Sequence, residues 1–149
     1  MTRFRFTLEA LLRHREDLEQ KERDELLRLN YQYQLELKKR NELISRKQAT
    51  SEEFALKQAD HQNQQEWVWY HLYLKRLSED ISESEKRLIQ WKAKIEAQKT
   101  VVIEASKKRK TLASMKAKKK KEFVMALEKQ EQKEVDDLVT TRFGFKEPG

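Results

Sequence analysis

The sequence predicts an all-α protein: a long antiparallel two-helix coiled-coil hairpin with a protruding C-terminal helix. The chain has 149 residues but only two Gly and one Pro. All three lie within residues 144–149, so the residues that mark tight turns are missing from nearly the whole chain. Charged residues make up 40 % and hydrophobic residues 37 %, a balance typical of long helices rather than of a compact globular core. Apolar residues also recur with helical spacing through two long stretches.

The same composition excludes several classes of function. Nucleotide-binding loops and nucleophile elbows need glycine where the backbone bends sharply or approaches a ligand. The chain has no Cys, which excludes disulfides and thiolate metal sites. His14, His61 and His71 are too far apart in sequence to form a ligand motif. We therefore expect no enzymatic activity, no metal and no cofactor.

The first predicted helix covers about residues 3–49. Its predicted inner face has twelve positions spread over 40 residues, close to the spacing of about 3.6 in a straight helix. Arg15, Glu22 and Arg40 occupy three of these positions. The other nine are Phe4, Leu8, Leu11, Leu18, Leu26, Leu29, Tyr33, Leu37 and Ile44.

The second predicted helix covers about residues 63–141, followed by a frayed tail at 142–149. It contains a stricter coiled-coil seam, in which fourteen positions from 67 to 112 alternate in steps of three and four. Ser84, Gln98 and Arg109 are the polar exceptions. The apolar members are Trp67, Tyr70, Leu74, Leu77, Ile81, Leu88, Trp91, Ile95, Val102, Ala105 and Leu112.

A polar interval at about residues 50–62 separates the two predicted helices. Asn63, with Glu66 three residues later, matches a capping box that would start the second helix. Thr50 is a weaker start signal for a short helix near 51–59. We predict a turn or a short helix in this interval. The alternative is one unbroken helix, which would form a parallel dimer.

A break near residue 61 would fold the chain back, so that the numbers of facing residues sum to about 122. Leu11 would then face the neighbourhood of Leu112. The first helix is the shorter one, so residues beyond about 118 would have no partner and would project as a lone helix. We expect one elongated domain over residues 1–149 that is monomeric when free.

The net charge of +7 is concentrated in two stretches. Residues 107–121 contain nine Lys and Arg and no acid, and residues 1–15 add a net charge of +3. The hairpin would bring both stretches to one end, where they would attract an acidic surface. This charge fits a solvated lysine face, a nucleic-acid-binding helix or a site for an acidic, concave protein surface. Residues 107–121 contain no aromatic side chain for base stacking, which disfavours nucleic acid.

Aromatic residues are concentrated at the start of the second helix. Residues 67–73 include two Trp and two Tyr, which makes the helix apolar on nearly all sides there. A short helix bearing Phe54, Leu56 and Ala59 could cover them. Alternatively, they form a docking surface near the hairpin tip, since exposed Trp and Tyr often anchor interfaces.

Two segments, FRFTLEALLRHREDLEQKERDELL and EWVWYHLYLKRLSEDISESEKRLIQWKAKIE, resemble the helices of the FliJ family, the small coiled-coil export proteins of the bacterial flagellum. The more specific features are the Phe-x-Phe-x-Leu-Glu start, the aromatic residues within 67–73 and the pair Gln90–Trp91. The resemblance implies an antiparallel coiled coil similar to the central stalk subunit of rotary ATPases.

The resemblance also implies a function in flagellar type III protein export. Such a protein would bind the export ATPase ring as a central stalk, contact the cytoplasmic domain of the export-gate membrane protein and handle export chaperones. It would be cytoplasmic and peripherally associated with the membrane at the flagellar base. The implied ATPase contacts are Phe4, Phe6, Leu8, Leu11, Lys116, Lys118, Lys119, Lys120, Lys121 and Phe123. The implied gate contacts are Trp69, Tyr70, Tyr73 and Leu77.

Two other functions remain compatible with the sequence. A stalk protein of a virulence type III secretion system would have the same architecture. A basic coiled-coil protein could instead bind nucleic acid through residues 107–121, although we expect no nucleic acid partner.

Overall fold

A computed structural model describes residues 3–58 and 64–144 of the protein. They form two helices, α1 (Glu9–Gln58) and α2 (Gln64–Gly144), and no strand occurs among these residues. The two helices pack against each other, which confirms the predicted all-α helical hairpin. Ala59 and His61 of the predicted turn, and Asn63 at the predicted start of the second helix, lie outside the described residues. No helix in the described ranges is long and apolar enough to cross a membrane.

The chain divides into two compact units. Unit 1 combines Met1–Glu19 with Glu104–Gly149, and unit 2 is Gln20–Ile103. Both contain antiparallel pairs between the two halves of the chain. In unit 1 Phe4 meets Phe123, and in unit 2 Glu36 meets Arg87, so the paired numbers sum to 127 and 123. Both sums are close to the predicted value.

The seam predicted for α2 matches the observed burial. Thirteen of its fourteen positions are buried or half-buried, and Trp67, at 38 % exposed, is the exception. The heptad pattern predicts burial correctly here because α2 is one continuous helix, so the same side of the helix stays buried from turn to turn. The buried apolar side chains of unit 2 are Leu29, Tyr70, Leu77, Leu88, Ile95 and Val102.

The first helix begins later than predicted, at Glu9 instead of about residue 3. Residues 3–8, which we call the N-terminal arm, are not helical. Phe4, Phe6 and Leu8 are half-buried, whereas the residues between them are exposed. This alternation has the period of two that is typical of an extended chain. Thr7 and Leu8 form a turn into α1, in which the Glu9 N–H donates to the Phe6 carbonyl at 3.1 Å.

The predicted inner face of α1 is correct at its eight positions from Arg15 to Arg40, all buried or half-buried, and wrong near both ends of the helix. Leu11, predicted to lie on the inner face, is 38 % exposed, whereas Leu12 is 3 % exposed. The predicted face was counted from Phe4, in the non-helical arm, and Leu11 is its first member inside the helix. Farther along α1, Ile44 is 37 % exposed and Leu43 is half-buried in its place.

This correction predicts different effects for two neighbouring substitutions. Leu12→Ala should lower the free energy of unfolding by about 2–3 kcal/mol, because it empties a buried site. Leu11→Ala should lower it by less than about 1 kcal/mol, because that side chain already contacts solvent. Urea unfolding followed by circular dichroism would measure both values, and equal losses would contradict this assignment of the core.

The first helix also ends later than predicted, at Gln58 instead of about residue 49. Thr50 does not start a new helix. Its hydroxyl donates to the carbonyl of Arg46 at 2.8 Å, a bond that is compatible with an uninterrupted helix. Beyond it, the Phe54 ring lies 5.0 Å from the ring of Tyr70. This packing gives the end of α1 an apolar contact within an otherwise polar stretch.

Polar pairs set the register of the helices within unit 2. The hydroxyl of Ser84, which is fully buried, donates to the Glu36 carboxylate at 2.7 Å, and Arg87 donates to the same oxygen at 2.9 Å. The Gln98 amide donates to the Glu22 carboxylate at 2.6 Å. A slipped register would leave these groups without partners in a desolvated position, which is energetically costly.

The Glu36 carboxylate predicts a pH-dependent stability. Burial raises the pKa of Glu36, but hydrogen bonds from Ser84 and Arg87 and the charges of Arg87 and Lys39 outweigh burial and leave this pKa lowered. A lowered folded-state pKa contributes stability above the unfolded-state value of about 4.3. That contribution disappears as the pH falls through the folded-state pKa.

We therefore expect Glu36→Gln to lower the free energy of unfolding at neutral pH by about 1 kcal/mol. The difference between variant and native protein should vanish in acid, at a pH low enough to protonate Glu36 in the folded state. Urea unfolding at the two pH values measures it. A difference independent of pH would show that the carboxylate charge does not stabilise the pair.

Candidate docking surfaces

The basic segment, residues 107–121 of α2, lies in unit 1. Four of its exposed residues follow one another at intervals of three or four, so they share one face of the helix. We call this surface the lysine face, and it consists of Lys110, Ser114, Lys118 and Lys121. It is available to a partner without any rearrangement of the helix.

Two other cations of the basic segment bind the beginning of the chain instead. The Lys116 ammonium lies 2.9 Å from the Glu9 carboxylate, and Arg109 pairs with Glu19, whose side chain is 7 % exposed. These pairs connect α2 with α1 inside unit 1. Lys116, a predicted ATPase contact, is therefore already engaged within the chain.

The remaining predicted lysine contacts are more accessible. Lys119 has a long surface pair with Glu122, at 3.8 Å. Among the described residues, Lys118, Lys120 and Lys121 form no ion pair. Exposed ion pairs contribute little to stability, so these four cations act mainly through the field they present to solvent.

The N-terminal arm covers the part of α2 that follows the basic segment. The Phe4 and Phe123 rings lie 5.7 Å apart at 49°. An extended chain advances about 3.3 Å per residue and a helix only about 1.5 Å, so a short arm accompanies a long stretch of helix. Burial of α2 consequently continues to Leu127, which is half-buried, and residues 128–143 are all exposed. The lone stretch therefore begins at residue 128, later than the predicted 118.

Within this lone stretch, apolar side chains recur at helical spacing and are unprotected. Phe143 is 67 % exposed, and Leu138 is 70 % exposed. Val135 and Val139 lie beside them at 53 % and 46 %. Such a stripe on a helix is typical of a surface that a partner covers, and sequence periodicity up to residue 112 did not single it out.

The aromatic cluster lies in unit 2, at the start of α2. We define it as Trp67, Trp69, Tyr70 and Tyr73 together with Phe54 of α1. The Trp69 and Tyr73 rings are stacked, with centroids 5.2 Å apart and planes at 7°. The Phe54 ring packs on Tyr70 and, edge-on, on Trp67 at 6.4 Å.

The predicted gate contacts separate into core and surface. Tyr70 and Leu77 are each 3 % exposed, so they belong to the core and are not accessible to a partner. Trp69 is 57 % exposed, and its stacking partner Tyr73 is half-buried. The predicted lid is only partial: Phe54 covers the cluster, Leu56 is 75 % exposed, and Ala59 lies outside the described residues.

Aliphatic neighbours extend the exposed side of the cluster. Val68 and Leu72 are 58 % and 63 % exposed. They lie one turn apart on α2, next to the stacked pair Trp69 and Tyr73. The result is a contiguous apolar and aromatic surface on a rigid helix, the kind of surface that supplies interface anchors.

In the described ranges no three His, Asp or Glu side chains are grouped closely enough to hold a metal ion. A broad, shallow cavity of about 600 Å³ along α1 is lined by residues of that helix alone, among them Gln34, Lys38 and Glu42. The exposed cations and aromatic rings of these surfaces are suited to non-covalent binding.

The family comparison covers both surfaces. A family model with the description "Flagellar FliJ protein" matches residues 4–147. No curated protein and no solved structure matches the chain. The matched range includes α1, the basic segment, the lone stretch and the aromatic cluster.

Proposed function

The chain belongs to the FliJ family and is a component of the flagellar export apparatus, and on this basis we propose that it is a non-enzymatic docking subunit with two partners. Its basic segment binds the export ATPase ring, in which it acts as a central stalk. Its aromatic cluster binds the cytoplasmic domain of the export-gate membrane protein. The flagellar description of the family favours this apparatus over a virulence secretion system.

The observation that carries the ATPase assignment is the accessible lysine face beside an uncovered helix. Lys118 and Lys121 have no ion pair among the described residues, and residues 128–143 offer an unprotected apolar stripe. The cations would steer the approach of an acidic ring lumen, and the stripe would supply apolar burial once contact is made. The lysine face has no aromatic residue for base stacking, which disfavours nucleic acid.

The aromatic cluster supports the second contact. Trp69 and Tyr73 form a rigid stacked pair, and little conformational entropy is lost when a partner covers such a pair. Val68 and Leu72 enlarge the apolar area around it. Export chaperones are a further class of partner for the same apparatus. These partners place the protein in the cytoplasm, peripherally associated with the membrane at the flagellar base.

Binding of the purified chain to the purified export ATPase tests this function. We expect a complex at low ionic strength that increases ATP hydrolysis and weakens as salt is added, because screening acts on exposed cations. A parallel titration with single- and double-stranded DNA should show no comparable affinity. No complex with the ATPase at low salt, or tighter binding to DNA, would contradict the proposal.

A further inference from the structure

A cavity of about 290 Å³ lies in unit 2, between the end of α1 and the first turns of α2. Its walls are two carboxylates, one ammonium and two aromatic rings. The lining residues are Glu53, Lys57, Glu66, Trp69 and Tyr70. This combination of aromatic faces and carboxylates is suited to holding a cation.

The chain places a cation of its own against one side of this cavity. The Lys57 ammonium lies 5.6 Å from the centroid of the Tyr70 ring and 3.4 Å from the Glu53 carboxylate. Its pKa is raised, first by a hydrogen bond with Tyr70 and then by one with Glu53. This side of the cavity therefore favours positive charge.

Among the described residues, the lining of the cavity carries excess negative charge. The lining holds two carboxylates against one ammonium, and no described residue pairs with the Glu66 carboxylate. Trp69, whose ring belongs to the same wall, is 57 % exposed. A guanidinium group fits this site better than an ammonium does. It is planar, stacks on aromatic rings, donates to a carboxylate through two N–H groups and is weakly hydrated.

We propose that the cavity binds an arginine side chain presented by a partner protein. The guanidinium lies against Trp69 and donates to Glu66, while Lys57 competes with it for the aromatic and acidic walls. The identity of the partner as the export-gate domain rests on the proposed function, but the chemistry of the ligand does not.

A pair of blocked peptides tests the ligand chemistry with the full chain. Acetyl-Gly-Arg-Gly-amide is compared with the peptide in which citrulline replaces arginine, a neutral side chain of nearly the same shape. We expect saturable shifts of the Trp69 indole N–H signal in nuclear magnetic resonance spectra with the arginine peptide only. The Trp91 indole, which lies under Lys94, is the internal control. Equal shifts with both peptides would overturn the proposal.

Three variants test the walls of the cavity in the same titration. Glu66→Gln should weaken binding of the arginine peptide at least three-fold. Lys57→Met should strengthen it at least two-fold, since the competing cation is removed. Glu79→Gln, a change in an exposed carboxylate of α2 outside the cavity, should have no effect. If the two glutamine variants behave alike, the cavity is not the binding site.

The same variants, assayed with the purified gate domain, separate this inference from the proposed function. Loss of gate affinity in Glu66→Gln but not in Glu79→Gln would support both. Peptide binding without any gate binding by the native chain would overturn the gate assignment and leave the arginine site in place. Gate binding that is equal in all variants, together with a negative peptide titration, would overturn the arginine site alone.

Discussion

Replacing Lys118, Lys120 and Lys121 together by glutamate should reduce the chain's stimulation of the export ATPase by about ten-fold or more at moderate salt. The change converts three accessible positive charges into three negative ones on the surface that we assign to the ring. Charges at an interface act through long-range attraction and through the penalty of placing like charges opposite each other. The helix itself should persist, because Glu and Lys have similar helix propensities.

A matched variant elsewhere on α2 separates this local effect from a change in total charge. Lys75, Lys86 and Lys92 are exposed residues of unit 2, and their joint replacement by glutamate changes the net charge equally. This control should retain most of the stimulation. If both triple variants lose the same activity, or neither does, the basic segment is not the ATPase contact.

The second large effect is expected from Trp69→Ala combined with Tyr73→Ala. Aromatic anchors of this kind contribute about 2 kcal/mol or more each when truncated, so affinity for the export-gate domain should fall by about 100-fold or more. Stimulation of the ATPase should change little, because that contact is assigned to residues of unit 1. Calorimetric titration with the gate domain and a steady-state hydrolysis assay measure the two results.

An exposed apolar and aromatic pair on α1 provides the control for the aromatic variant. Leu27 and Tyr31 are 67 % and 62 % exposed, and replacing both by alanine removes a similar apolar area outside the cluster. This control should bind the gate domain normally. A thermal unfolding curve for each variant checks that the helices remain intact. Simultaneous loss of gate binding and ATPase stimulation would mean that the cluster serves only to stabilise the fold.

The extent to which the sequence predicts this structure depends on the continuity of the helices. In α2, one helical phase extends from the first turn to the last, so the spacing of Tyr70, Leu77 and Leu88 identifies the buried face. In α1 the predicted face is right from Arg15 to Arg40. Near the ends of the helix, however, the buried or half-buried side chains are Leu12 and Leu43 in place of Leu11 and Ile44. The alternation of Phe4, Phe6 and Leu8 with polar residues was the available signal for an extended arm.

The sequence alone does not predict which charged and aromatic side chains of the candidate surfaces stay exposed, because tertiary contacts decide this. The lysines of the basic segment look alike in the sequence, yet Lys116 pairs with Glu9 whereas Lys118 does not have an ion pair among the described residues. Trp69 and Tyr70 are adjacent aromatic residues. Phe54 of α1 packs on Tyr70, which is buried, whereas Trp69 stays exposed. Helical periodicity identifies the side of a helix, whereas pairing between distant segments decides which polar and aromatic groups remain available.

Site-specific photo-crosslinking tests most directly whether two separate surfaces serve two partners. A benzophenone amino acid is placed at Ser114, within the lysine face, or at Leu72, beside the aromatic cluster. Each protein is then irradiated in a mixture of the export ATPase and the gate domain. We expect the probe at Ser114 to capture the ATPase and the probe at Leu72 to capture the gate domain. Capture of the same partner from both positions, or the reverse pattern, would contradict the account.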